Sequence, residues 1–330
     1  MKKSLTYIPV VLSLLLSHVG VAQTSGKSAA GFADYVNSVK SEAVGRGYEA
    51  DWLDAQLANV EYRATAVKAD RNQPEKRITL DQYLDTRVPD WKVNRAITLG
   101  QEHRALLEKI SAEYGVQTRF ILALWGNESN FGKIQGRYPV LSATLSLAYE
   151  GRREEMFKRQ FFAALDILRA GHIDSTEMKG SWAGAMGQSQ FMPTTFMTYA
   201  VDYDKDGKKD IWSTPADVFA SIANFLSSEG WSDNGLWGRQ VMIPKNAESL
   251  PSGLSKDNFR PLSFWQAQGV RRYDGRDLPN VDVKASLIMP DGPEGRVYLV
   301  YNNFHTLMRW NRSSYFGVSV GYLSDRIRGF

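Results

Sequence analysis

Apolar positions recur at helical spacing over most of the chain, and strand-like runs appear only in its C-terminal third. FADYVNSVKSEAVGRG (residues 32–47) and WKVNRAITLGQEHRALLEKISAEYGV (91–116) carry apolar residues three and four apart, with Gly45, Gly47 and Gly115 as stop signals. Pro74 and Pro89 break the stretch between them, and Thr79-Leu80-Asp81 reads as the start of a helix. Residues 116–231 continue as helices joined by glycine-rich loops. Beyond Trp237 the character changes. VMIPKNAESLPSG (241–253) is loop-like, and VDVKASLIM (281–289) and RVYLVYNNF (296–304) flank the loop Pro290–Gly295 as a hairpin would. The last stretch, residues 303–329, is helical again. The pattern predicts a mainly helical α+β fold. Its segments are an N-terminal helical domain (32–110), a helical core (111–238), a small β module (239–301) and a C-terminal helical segment (302–330) that returns to the core.

The first 22 residues have the layout of a secretory signal: Lys2 and Lys3, an apolar run from Ile8 to Leu16, and the small residues Gly20-Val21-Ala22. That run is short for a bilayer span, so cleavage near Ala22 is expected rather than anchoring. Residues 23–31 are small and polar and read as a disordered leader. The sequence has no cysteine, which removes disulfides, thiolate metal sites, cysteine nucleophiles and the acylated cysteine of a lipoprotein. An exported, periplasmic protein without a membrane anchor is expected. No coiled coil or obligate interface is evident, so a monomer is expected.

Charge and composition change this picture little. Without residues 1–22, which hold two of the lysines and no acid, the formal charge falls from +4 to +2. Such a balance does not argue for a nucleic-acid partner. The aromatic share of 12%, with nine tryptophans, suits either cores or platforms for apolar ligand faces.

The stretch ALWGNESNFG (123–132) places a single carboxylate after a bulky apolar run. With Thr118 as cap and a helix beginning at Arg119, Ile121, Leu124, Trp125 and Glu128 share one face. Desolvation on such a face raises a carboxyl pKa, which suits an acid that protonates a glycosidic oxygen. Gly126 and Gly132 would let a substrate chain approach closely. Spacing alone leaves a solvent-facing, helix-terminal glutamate equally open. Residues 180–193, GSWAGAMGQSQFMP, combine small residues with Gln188 and Gln190, whose amides suit sugar hydroxyls. A tight helix crossing built on small residues explains the same stretch.

Taken together, ALWGNESNFG, YEGRREEMF (149–157), GSWAGAMGQSQFMPTTF (180–196) and ANFLSSEGW (223–231) closely resemble the lytic murein transglycosylase B family, in order over nearly all of the mature chain. The resemblance implies a lysozyme-like core and cleavage of the MurNAc–GlcNAc β-1,4 bond of peptidoglycan glycan strands. It assigns the catalytic role to Glu128 of the Glu128-Ser129 pair. By the same matching Ser129, Ser181, Gln188, Gln190, Phe191, Phe225, Trp310 and Asn311 fall among groove residues, and Arg152 and Arg153 on the family's arginine pair. Phe225 and Trp310 stand where relatives can carry tyrosines, so no phenolic hydroxyl is implied there.

Retaining and inverting glycosidases use two carboxyl groups, yet the groove motifs offer only one. Glu150, Glu154 and Glu155 lie in a charged helical run. The family's chemistry needs one. Glu128 first protonates the glycosidic oxygen, then takes the proton of the sugar's own C6 hydroxyl as a 1,6-anhydro ring closes. No cofactor is required. Two alternatives stay open: a muramidase that hydrolyses the same bond, and a catalytically silent peptidoglycan-binding module. Recruitment by cell-wall synthesis or division proteins is also left open.

DYDKDGKKDIWS (202–213) begins as an EF-hand loop does. Asp202, Asp204, Asp206 and Asp210 take positions 1, 3, 5 and 9, the Lys208 carbonyl position 7, and Gly207 the turn. Ser213 stands where a bidentate glutamate is expected, and Asp217, four residues on, would join the ligands through an enlarged loop. A weakly held structural Ca²⁺ is expected, with an acidic turn neutralised by its own lysines as the alternative.

Overall fold

The computed structural model describes residues 27, 29–72, 78–245 and 247–329. The expected signal segment, most of the leader and the break at Pro74 lie outside the described residues. The leader's last three residues, Ala29–Gly31, form a 3-10 turn into the first helix.

In chain order the helices are α1 Phe32–Gly45, α2 Ala50–Leu57, α3 Ala64–Arg71, α4 Leu80–Arg87, α5 Asp90–Glu102, α6 Arg104–Tyr114 and α7 Thr118–Ser129. They continue with α8 Val140–Glu150, α9 Glu154–Arg169, α10 Pro193–Tyr199, α11 Pro215–Ser228, α12 Leu262–Ala267, α13 Asn302–Trp310 and α14 Ser314–Arg326. The strands are β1 Tyr138–Pro139, β2 Lys179–Gly180, β3 Gly238–Met242, β4 Arg260–Pro261, β5 Arg271–Arg272, β6 Lys284–Ile288 and β7 Val297–Val300.

Local chemistry accounts for many of these boundaries. At the start of α4, the Thr79 hydroxyl accepts from Gln82 N–H while the Gln82 side chain accepts from Thr79 N–H, a reciprocal capping box. The periodic stretch expected as one helix is two, because His103 leaves helical geometry at φ −102°, ψ 17°; α6 then closes on Gly115 in the left-handed region. Helix α7 starts at Thr118, so that residue lies in the first turn rather than capping it. From Phe120 to Leu124 every side chain is fully buried and Trp125 nearly so. A helix apolar all round must lie inside the fold.

Among the described residues the chain forms two compact units. One takes in residues up to 72 together with Glu128–Ile222; the other takes in 78–127 and 223–329. The division falls inside α7 and inside α11. Residues 32–110, expected as one segment, are therefore shared between the units.

In the first unit α8 is buried from Val140 to Tyr149, and Leu147 and Ala148 join Ala66, Val67, Phe157, Trp182 and Ala183 in one apolar cluster. A two-stranded ladder, β1 with β2, pairs Tyr138 with Gly180.

The second unit holds a five-stranded antiparallel sheet in the order β4-β6-β7-β3-β5. The predicted hairpin is its centre, with Leu287 opposite Leu299. Trp265, Val241, Leu287, Val297 and Leu299 form the core on one face. Strand β3 was not legible as a strand; it forms by pairing with β7. Both edge strands are two residues long and carry arginines, with Pro261 on one, which discourages further pairing. No helix among the described residues is long and apolar enough to cross a membrane.

Candidate active site

Glu128 sits on the last turn of α7, partly exposed where residues 120–127 before it are buried. The chain then reverses through three consecutive left-handed residues, Asn130 (φ 52°), Phe131 (φ 58°) and Gly132 (φ 80°). Two of these are not glycine, and such backbone costs about 1–2 kcal/mol per residue. Strain of this kind persists only where the surroundings hold it, and it clusters at functional sites. Ser129 holds the turn: its Oγ accepts from Gly132 N–H at 3.0 Å and its carbonyl from Ile134 N–H at 2.8 Å. Ser129 is fully buried, so its position is that of a brace beneath the acid rather than of a surface hydroxyl.

The second wall comes from residues 180–191, which fold back twice through bridges pairing Gly180 with Met186 and Met186 with Phe191. The Ser181 Oγ accepts from Ala185 N–H at 3.1 Å, which turns its own proton away from that group. The Gln190 backbone is left-handed at φ 51°, and the side-chain nitrogen of Gln190 donates to the Gly187 and Gln135 carbonyls. The Gln188 amide nitrogen donates to the Trp212 carbonyl at 2.8 Å.

Two glycines let these walls meet. A side chain on Gly132 would run into the Gln188 amide, and one on Gly136 (φ 93°) into the backbone of Gly180 and Ser181. The structure thus brings the Glu128–Gly136 segment together with Ser181, Gln188 and the turn that carries Gln190 and Phe191.

Arg152 and Arg153 are held otherwise. Both guanidinium groups pair with the Asp70 carboxylate of α3, which is buried, and Arg152 also donates to the Asp70 carbonyl at 2.9 Å. Glu150 pairs with Arg71, and Glu154 accepts from the Tyr35 hydroxyl at 2.9 Å. Both arginines of the expected site, with Glu150 and Glu154 beside them, are therefore engaged by the first helices.

Phe225, Trp310 and Asn311 belong to the second unit. The rings of Phe225 and Trp310 meet edge to face at 4.8 Å. Asn311 is buried at the end of α13, and its Oδ1 accepts from Ser313 N–H at 3.0 Å, linking α13 to α14.

In the acidic loop, carboxylate oxygens of Asp202, Asp204 and Asp217 lie within 4.8 Å of one another. Three hard oxygen donors at this spacing fit a divalent cation such as Ca²⁺. Asp206 and Asp210 do not join them. Asp206 accepts from Lys208 N–H at 2.8 Å, and Asp210 caps the N–H groups of Trp212 and Ser213. Burial pushes the Asp210 carboxyl up, but donors from Ser213, Trp212 and Thr214 outweigh this and hold it below the usual range. At Asp217 burial dominates and the carboxyl is raised, although Tyr203 and Asp210 N–H donate to it. A bound cation would offset that cost.

Residues 31–325 match the family described as the transglycosylase SLT domain, and the chain belongs to that family. Membrane-bound lytic murein transglycosylase B of Escherichia coli (strain K12) is 30% identical over 243 residues, 72% of this chain and 64% of that protein. The alignment thus spans just under two thirds of that relative. SltB3 from Pseudomonas aeruginosa, solved in complex with NAG-anhNAM-pentapeptide, superposes with a TM-score of 0.86 at 38% identity, covering 90% of this chain and 80% of that one. The Escherichia coli lytic transglycosylase SLT35 in complex with calcium gives 0.78 at 26% identity, covering 89% and 92%.

Two residues of the site escaped sequence reasoning. Asp70 accepts from arginines more than eighty positions away, and Gln135 sits in a loop where no periodicity applies.

Proposed function

We propose that this chain is an exported lytic transglycosylase that cleaves the MurNAc–GlcNAc β-1,4 bond of peptidoglycan without water, leaving 1,6-anhydroMurNAc ends. The observation that supports this most is the setting of Glu128: a partly exposed carboxyl closing a buried helix, beside a strained turn that Ser129 braces and whose Gly132 packs against Gln188.

Glu128 protonates the glycosidic oxygen, the C1–O bond breaks, and the GlcNAc side leaves with a free hydroxyl. The C6 hydroxyl oxygen then bonds to C1 and returns its proton to Glu128. Atoms balance without a water molecule, and one carboxyl is acid and then base. Glu150 and Glu154 are engaged by Arg71 and Tyr35, which argues against either as a second catalytic carboxylate. Ser181 offers a hydroxyl and Gln190 an amide oxygen to the sugar. A divalent cation at Asp202, Asp204 and Asp217 would be structural, since cleavage by a protonated acid needs no metal.

Glu128→Gln keeps the shape and removes the titrating proton. It should still bind purified sacculi while muropeptide release falls about 10²–10⁴-fold. Full release by this variant would remove Glu128 from the reaction.

A further inference from the structure

We infer that Gln135 is a positioning residue for this reaction, holding the turn behind Glu128 and the groove amide of Gln190 in one register. The inference rests on the proposed transglycosylase reading and adds a residue to it. The Gln135 side-chain nitrogen donates to two carbonyls, Gly132 at 3.1 Å and Trp212 at 3.0 Å. Both partners are acceptors only, so the amide orientation is set by chemistry. The backbone carbonyl of Gln135 in turn accepts from the Gln190 amide at 3.1 Å. The Trp212 carbonyl is shared with the Gln188 amide at 2.8 Å. Gln135 thus ties together three segments: its side chain joins the left-handed turn that follows the acid to the end of the acidic loop, and its backbone carbonyl holds the turn carrying Gln190. Gly136, the next residue, lets the loop lie directly against the backbone of Gly180 and Ser181, where a Cβ would clash.

The turn it holds is strained at Asn130 and Phe131. Releasing the Gly132 carbonyl lets that strain relax and moves Glu128 relative to Gln190. Loss of a positioning contact of this kind lowers kcat with little change in KM, because ground-state binding is spread over the groove.

The experiment compares kcat and KM on soluble glycan strands for wild type, Gln135→Met, Gln135→Glu and Gln135→Lys. Methionine keeps the length and removes both donors; kcat should fall about 10- to 100-fold with KM within roughly threefold. Lysine restores donors to the two carbonyls and should recover most of that loss. Glutamate sets a carboxylate against two carbonyl oxygens, so its kcat relative to wild type should climb as pH falls and the carboxyl gains a proton to donate. A methionine variant with normal kcat and only a lower melting temperature would overturn the inference, as would equal defects in the lysine and methionine variants. Should the methionine variant not fold, a glutamate-to-wild-type ratio flat across pH would overturn it alone. A wild type that releases no anhydro product defeats the transglycosylase reading instead, so the two failures are distinct.

Discussion

Gly136 and Gly47 share nearly the same backbone angle, φ 93° and 88°, but not the same surroundings. A Cβ on Gly47 would meet nothing within 4 Å, whereas one on Gly136 would strike the Gly180 carbonyl and Ser181 N. Gly47→Ala should therefore carry only the left-handed cost, about 1–2 kcal/mol. Gly136→Ala should lose about 1–3 kcal/mol more, because backbone must move to admit the methyl. Urea midpoints of the two variants test this, and equal losses would contradict the close approach. At this scale the sequence was unevenly legible. Glu128 stood out through the family resemblance of its motif, since helical spacing alone left a solvent-facing glutamate equally open. The brace formed by Ser129 and the pairing of Arg152 and Arg153 with Asp70 did not, since each depends on a hydrogen-bond partner that local pattern cannot supply.

Among the elements, the acidic loop shows how a spacing motif and a fold divide the information. The aspartates at 202 and 204 follow from the loop pattern and Asp217 from an enlarged loop, and the fold supplies Asp217 from the first turn of α11 while Asp206 and Asp210 turn to backbone N–H groups. Its burial raises the carboxyl, so cation binding should stabilise the fold by relieving that cost. Excess Ca²⁺ should raise the melting temperature of wild type, by about 2.7 kcal/mol of stability at a hundredfold excess over Kd, and leave Asp217→Asn nearly unmoved. The same shift in both proteins would place the ion elsewhere. The hairpin of β6 and β7 was legible from its apolar strands and Pro-Gly loop, whereas β3 was not. Its only fully buried side chain is Val241, and its strand state comes from pairing rather than alternation.

For the whole molecule, the mainly helical α+β class was legible and the way the chain partitions was not. A boundary is usually sought in a loop of altered composition, but here the chain passes between units inside α7 and inside α11, where no linker signal exists. A second global property follows from Lys92, which is almost fully buried in the second unit. Burial, aided by the Arg87 charge, pushes its ammonium down to about 7. The unfolded chain keeps that proton up to the ordinary lysine range near ~10.4 while the folded chain has lost it, so this group makes stability rise with pH between those values. Lys92→Met should remove that rise and raise the melting temperature at pH 7 by roughly a few degrees. Parallel pH profiles for variant and wild type would contradict it.

The central claim is that one carboxyl, Glu128, performs both proton transfers and that the sugar's own C6 hydroxyl replaces water. Mass spectrometry of the soluble products from purified sacculi tests it most directly. Muropeptides ending in 1,6-anhydroMurNAc, lighter by one water than reducing-end products, are the expected result. Reducing ends would contradict it and require a second carboxylate that positions water.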